Sequence, residues 1–328
     1  MLARLRENMR RPEILLILMS AAVPISFATW QGLLNNFAVE RAQFGGVEIG
    51  TLQSLREVPG FLAFAVVFLL LFVREQKLAY ASLLLLGIGT AVTGFFPTII
   101  GLYIMTVVMS LGYHYYETTA QSLSLQWLDK KDAAHWLGRL IAIGSFAGII
   151  AFALIYVGID IVGLDFKWVY FVGGGVTIAI ALAAWTLFPV FPAKVEQNKH
   201  LVLRKRYWLY YALVFMSGAR RQIFVVFAAF MLVERFGFDA GTIALVFLAN
   251  SALSMVLAPR IGKLIGIWGE RRALTVEYLG LIVVFVAYAF VQNPVIAIGL
   301  YIVDHVFFAM AIAMKTETKV AAVSSNPN

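Results

Sequence analysis

Apolar and polar positions along this chain alternate on the scale of whole helices. Runs of about 20 mostly apolar residues are separated by short polar joints, and each run can cross a hydrocarbon core of about 30 Å at about 1.5 Å per residue. Ten such runs predict ten spans, at 13–37, 47–73, 78–95, 97–120, 134–158, 167–190, 207–233, 240–265, 273–291 and 294–314. The predicted fold class is therefore an all-α integral membrane protein.

Composition agrees with the pattern. Of 328 residues 61% are hydrophobic and 13% charged, against about 45–50% and about 25% in soluble domains. The opening "MLARLRENMRRPEILLILMSAAV" has the basic lead and apolar run of a secretory signal. No small-residue cleavage site follows, so it reads as a retained first helix. Cysteine is absent, which removes disulfides, thiolate metal sites and a cysteine nucleophile.

A net charge of +8 invites a nucleic-acid reading, but the basic residues fall in short joints between spans, where they report membrane orientation. Of the 26 Lys and Arg, 20 fall on one side of the predicted spans and three (Arg41, Lys167, Arg235) on the other; Arg56, Arg220 and Arg221 lie inside spans. That asymmetry places the N-terminus in the cytoplasm, with the cell membrane the expected location. Nucleic acid is excluded as a partner; the lipid bilayer and a small solute remain.

The chain also repeats itself. The basic joint "FPAKVEQNKHLVLRKR" at 191–206 separates a six-span part from a four-span part, and three short matches cross it. "VER" at 39–41 recurs at 233–235, "GT" at 50–51 recurs at 241–242, and "GLYI" at 101–104 recurs at 299–302. The last match pairs Asp304 and His305 with Thr106 and Val107. The domains read as 1–190, a linker at 191–206, 207–314 and a polar tail at 315–328.

With its parallel six-helix repeats and long basic central joint, the chain resembles the major facilitator superfamily over about 13–314. The family's signature loop is partly present in "GKLIGIWGERR": Gly262, Leu264, Gly269, Arg271 and Arg272 match, whereas Gly266, Ile267 and Glu270 replace its Asp, Arg and first basic residue. The corresponding first-half loop, "FVREQKLA", has no glycine. The family has twelve helices, so the resemblance implies that helices eleven and twelve are missing from this sequence. It also implies that helices one, four, seven and ten line a central cavity, and that helix two lies at the seam between the halves.

Charged groups inside a span cost about 2.5–3.5 kcal/mol on insertion scales and call for a reason. Arg220 and Arg221 stand near the middle of span seven, as a bidentate grip for a carboxylate or phosphate or as half of an internal salt bridge. Asp304 and His305 stand about 15 Å into span ten, as a proton-coupling and substrate pair or with Asp304 as the arginines' counter-ion. On span four His114, Glu117 or Thr118, and Gln121 form a stripe at helical spacing. The alternative there is an interfacial aromatic belt of Tyr113, Tyr115 and Tyr116. Arg56 and Glu57 lie on span two beside a kink site at Pro59. Arg56 is expected either to act in gating or to snorkel outward, and Glu57, by resemblance, to belong to a gate. Glu277 reads as half of a surface ion pair and Asn250 as an interhelical hydrogen-bonding group, neither with a function.

No further ligands accompany His114 and Glu117, so no metal is expected, and no cofactor. No nucleotide-binding loop, metalloprotease helix motif or nucleophile–base pair appears, which argues against an ATP-driven pump and against an enzyme. The reading is a secondary active transporter of a small, anionic solute, coupled to protons and working by alternating access. The alternative is a non-transporting membrane protein derived from a transporter.

Overall fold

The computed structural model of the chain describes residues 11–129, 132–192 and 226–309, together with 205, 208, 211, 212 and 216. Among these, the regular elements are helices in the order α1 (Pro12–Ala42), α2 (Gly46–Phe61), α3 (Glu75–Thr93), α4 (Ile99–Trp127), α5 (Ala133–Tyr156), α6 (Phe166–Leu187), α7 (226–234), α8 (Ala240–Trp268), α9 (Glu270–Phe290) and α10 (Pro294–Ala309). Each falls within or over one predicted span. Seven of the described helical stretches are long and apolar enough to cross a membrane, and α10 is a shorter apolar helix.

Side chains at the joints explain where several helices begin. Thr98 Oγ1 accepts the Gly101 N–H at 3.1 Å ahead of α4, and Asp165 Oδ1 accepts the Lys167 N–H at 3.1 Å ahead of α6. Asp239 Oδ1 takes the Thr242 N–H at 2.7 Å, and Asn293 Oδ1 the Val295 N–H at 2.8 Å. Each satisfies backbone donors that an N-terminal turn leaves without an intrahelical partner. Past Pro59, α2 gives way to a 3₁₀ turn, Leu62–Ala65, and a further helical turn, Val66–Leu69. At its far end α4 runs to Trp127 instead of stopping at 120, because Gln126 Nε2 donates to Glu75 Oε2 at 2.6 Å and ties the last turn to the start of α3.

The repeat is visible in the backbone. The helices α2 and α8 begin at 46 and 240, α3 and α9 at 75 and 270, α4 and α10 at 99 and 294, intervals of 194, 195 and 195 residues. Both "VER" segments lead into the same turn. Gln43 and Gly237 have φ of 55° and 69°; the Phe44 N–H reaches the Ala38 carbonyl at 3.0 Å, and the Phe238 N–H reaches the Leu232 carbonyl at 3.2 Å. This is the left-handed helix stop that closes a last turn. The "GLYI" match, at an interval of 198, is out of step with these starts by nearly one turn. In the structural register Asp304 corresponds to Met109 and His305 to Ser110, which corrects the pairing with Thr106 and Val107.

The chain divides into two compact units, Met1–Leu203 with Asp239–Leu245, and Arg204–Phe238 with Val246–Asn328. In the first, α3 packs on α4 and α6, α1 on α5 and α6, and α2 on α4. Its core holds Trp30, Phe37 and Tyr170, and Phe37 meets the Tyr170 ring edge-on at 5.5 Å. Glycine permits a close crossing: a Cβ on Gly112 would collide with the backbone of Ser82 and Leu86. In the second unit α9 and α10 run antiparallel, pinned by the Tyr288 hydroxyl donating to the Ala297 carbonyl at 2.9 Å and by Phe307 lying over Gly280. Ile261, Ile265 and Ala273 bury the turn between α8 and α9.

Candidate functional site

The polar stripe of α4 faces a cavity. Within the first unit, α1, α4, α5 and the 3₁₀ turn that follows α2 line an open cavity of about 820 Å³, a size usual for small-molecule sites. His114, Glu117, Thr118 and Gln121 line one wall, and Val23, Pro24, Leu137 and Ile141 line the others. These α4 residues recur every three or four positions, so one helical face carries them all.

The aromatic belt expected from Tyr113, Tyr115 and Tyr116 is not formed by two of its members. Tyr116 is buried, and Tyr113 stacks on Phe27 of α1 at 4.6 Å and 24°. The Tyr113 hydroxyl donates to Glu117 Oε1 at 3.0 Å, which orients that carboxylate along the cavity wall. The His114 ring stands edge-on to Tyr113 at 5.1 Å and packs directly over Gly60 of α2, where a Cβ would enter the ring. Glycine there lets α2 and α4 approach to imidazole contact.

One turn back along the same crossing lies a half-buried ion pair. Arg56 does not snorkel outward: its side chain is 8% exposed, and its Nη2 lies 2.6 Å from Glu57 Oε1. Its guanidinium also sits 5.9 Å from the Trp30 ring of α1, a favourable cation–π placement. The Ser110 hydroxyl donates to the Arg56 carbonyl. Neighbouring helix positions diverge by about 100°, yet the long arginine stem folds back to reach Glu57. Glu57 and Arg56 both act electrostatically on His114, so the structure brings together four of the singled-out residues: Arg56, Glu57, His114 and Glu117.

In the second unit Asp304 is 5% exposed on α10. His305 Nδ1 donates to the Tyr301 carbonyl at 2.9 Å and lies 3.8 Å from Asp304 Oδ2. Tyr301 stacks on Phe247 of α8 at 5.7 Å and lies tilted by 43° against the His305 ring at 4.5 Å. Tyr288 and Tyr301 lie within electrostatic reach of the Asp304 carboxylate. Arg220 and Arg221 lie outside the described residues.

Sequence reasoning misplaced one group here. Glu277 does not form a surface pair; it is fully buried on α9, on the face that also carries Ala273, Leu281, Val284 and Tyr288. That spacing was available as a signal, but the nearby Arg271 and Arg272 made a surface pairing the simpler choice. Those arginines instead line a separate cavity of about 530 Å³ with Trp268, Thr275 and Val276. The retained signature-loop turn is present between α8 and α9, where Gly269 has a φ of 78°. Asn250 is buried, and its Oδ1 has no hydrogen-bond partner among the described residues. Nor do the described residues hold a group of three or more His, Asp or Glu that could bind a metal ion.

The family model described as Major Facilitator Superfamily matches residues 14–322. The chain belongs to the Major Facilitator Superfamily. Solved structures of the same fold include a mutant of the nucleoside transporter NupG, with a TM-score of 0.77, 14% identity, and coverage of 97% of this chain and 84% of that one. A bacterial homologue of the human lysosomal transporter Spinster, inward-facing and occupied, gives 0.69 at 14% identity over 92% of this chain and 72% of that one. A D-xylose–proton symporter gives 0.61 at 10% identity over 91% and 80%. At such identities the likeness is one of fold. Among curated proteins the sequence finds no match. Major facilitator membership makes the chain a multi-pass membrane protein with a transporter fold.

Proposed function

We propose that the chain is a secondary active transporter that moves a small solute by alternating access between halves at 1–190 and 207–314, joined by 191–206, with its N-terminus in the cytoplasm. The observation that carries this reading is the α1–α4–α5 cavity, because hydrogen-bonding side chains facing an open volume inside apolar helices have no use in packing alone. The transporter fold supports the same reading, and two of the structures named above are a nucleoside transporter and a D-xylose–proton symporter.

The coupling ion proposed is the proton, held at Asp304 and His305 of the second unit and at His114 and Glu117 of the first, with the Arg56–Glu57 ion pair assigned to a gate. A buried carboxylate beside an imidazole changes charge by taking one proton, which is the chemistry symport requires. An anionic group on the solute is assigned to Arg220 and Arg221, whose guanidinium groups match a carboxylate.

The test is solute flux into proteoliposomes under an imposed pH gradient. Uptake driven by an inward proton gradient is expected, and Asp304→Asn is expected to leave uptake without its pH dependence. Absence of flux under every imposed ion gradient would replace this reading with that of a non-transporting protein derived from a transporter.

A further inference from the structure

The α4 wall of the first-unit cavity has a definite polarity. Thr118 and Ser124 spend their hydroxyl protons on their own helix, donating to the His114 carbonyl at 2.9 Å and the Ala120 carbonyl at 2.7 Å. Ser20 of α1 does the same toward the Ile17 carbonyl at 2.9 Å. Their oxygens therefore remain as acceptors. Glu117 adds a carboxylate already oriented by Tyr113, and Gln121 an amide that both accepts and donates. Among the described residues no Lys or Arg lines the cavity. An acceptor-rich wall with a carboxylate and no permanent cation repels an anion and takes hydrogen-bond donors.

The remaining walls have the opposite character. Val23 and Pro24 of α1, with Leu137, Leu140 and Ile141 of α5, present hydrocarbon. A solute moiety that satisfies both sides carries C–H faces and a donor-bearing edge, which is the surface of a polyhydroxylated ring.

We infer that the α4 face bearing Glu117 and Gln121 is a specificity subsite for an uncharged, polyhydroxylated ring, whatever charge the solute carries elsewhere. This rests on the transport reading above and names what its first-unit cavity recognises. Glu117 accepts from ring hydroxyls, Gln121 fixes a second hydroxyl, and the α1 and α5 side chains cover the ring face. Such a ring occurs as a free sugar or as the sugar of a nucleoside.

The experiment uses the purified full chain and four probes: D-xylose and uridine as neutral rings, gluconate and uridine monophosphate as anions. Binding is read as a thermal shift in detergent, and uptake is read in proteoliposomes. At least one neutral probe is expected to raise the melting temperature, and Glu117→Gln and Gln121→Ala are each expected to weaken its apparent affinity about tenfold, the loss of one charge-assisted or bidentate hydrogen bond. Both positions are exposed in the cavity, so the probe-free melting temperature is expected to hold. D-xylose and uridine separate the two sources of the ring. The inference is overturned if only anions bind, if no probe binds, or if both variants bind the neutral probe as the parent does. Binding without uptake under any gradient would sink the transport reading and leave the subsite standing. Uptake indifferent to both variants would do the reverse.

Discussion

The crossing of α2 with α4 and the crossing of α8 with α10 are two versions of one repeat, and their side chains differ in kind. In the first unit Arg56 meets Ser110 and Gly60 meets His114, each pair 54 residues apart. In the second, Phe247 meets Tyr301 at the same separation. The helix starts keep the register to within one residue while the contents are exchanged. Where the second crossing stacks Phe247 on Tyr301, the first has Gln53 and Thr106, both with buried oxygens. Where the first holds Arg56 and Ser110, the second has Asn250 and His305, with Asp304 beside it. A permanently charged guanidinium cannot titrate, whereas a carboxylate and an imidazole can. The first crossing is built as a fixed ion pair and the second as a group that changes charge.

A similar exchange occurs on the other side of α4 and α10. In the first unit the small residue is Gly112 on α4, lying against α3; in the second it is Gly280 on α9, lying under Phe307 of α10. In the structural register Phe307 corresponds to Gly112 and Gly280 to Leu85. Both solutions bring helices close, but one places backbone against backbone and the other places a ring against backbone.

That contrast orders the expected effects. Gly112→Ala should be the most damaging, by about 3 kcal/mol, because a methyl group there has only the backbone of Ser82 and Leu86 to push; the melting temperature in detergent reports it, and a shift near zero would break the comparison. Arg56→Leu should cost about 2 kcal/mol, less than the full penalty for a broken buried pair, because the Glu57 side chain is 42% exposed and regains water. Gly280→Ala should cost about 1 kcal/mol, since the Phe307 ring can turn aside; equal losses at Gly112 and Gly280 would show that the two packings are equivalent after all. Asp304→Asn should change stability least, by less than about 1 kcal/mol for a near-isosteric change, yet remove the pH dependence of uptake. If Arg56→Leu removed that dependence and Asp304→Asn did not, the roles given to the two crossings would be reversed.

Much of the fold was legible along the chain, for a simple reason. Apolar runs and the polar residues between them are local properties, so the succession of apolar helices, the starts of α2 and α8, and the stripe of His114, Glu117 and Gln121 could be read without knowing any contact. The repeat was legible too, but its register was not: "GLYI" matched by composition at the wrong turn, and only the helix starts at 99 and 294 set the pairing. The site was legible in its residue types and less so in its pairings. Arg56 could be seen as a cost inside a span, but its contact with Trp30 depends on where α1 crosses α2.

What the sequence by itself determined was the order of apolar helices, the membrane as their solvent, and the charged residues inside them. The tertiary structure decided which of those charges are buried, that Tyr113 orients Glu117 instead of marking an interface, that Glu277 belongs to the interior of the second unit, and that two copies of one crossing hold different chemistry. The physical reason is that periodicity fixes the face of a helix, whereas the partner of that face is set by helix crossings between residues far apart in the chain. A shift of one turn, about 5.4 Å, changes every such partner while leaving the local pattern intact.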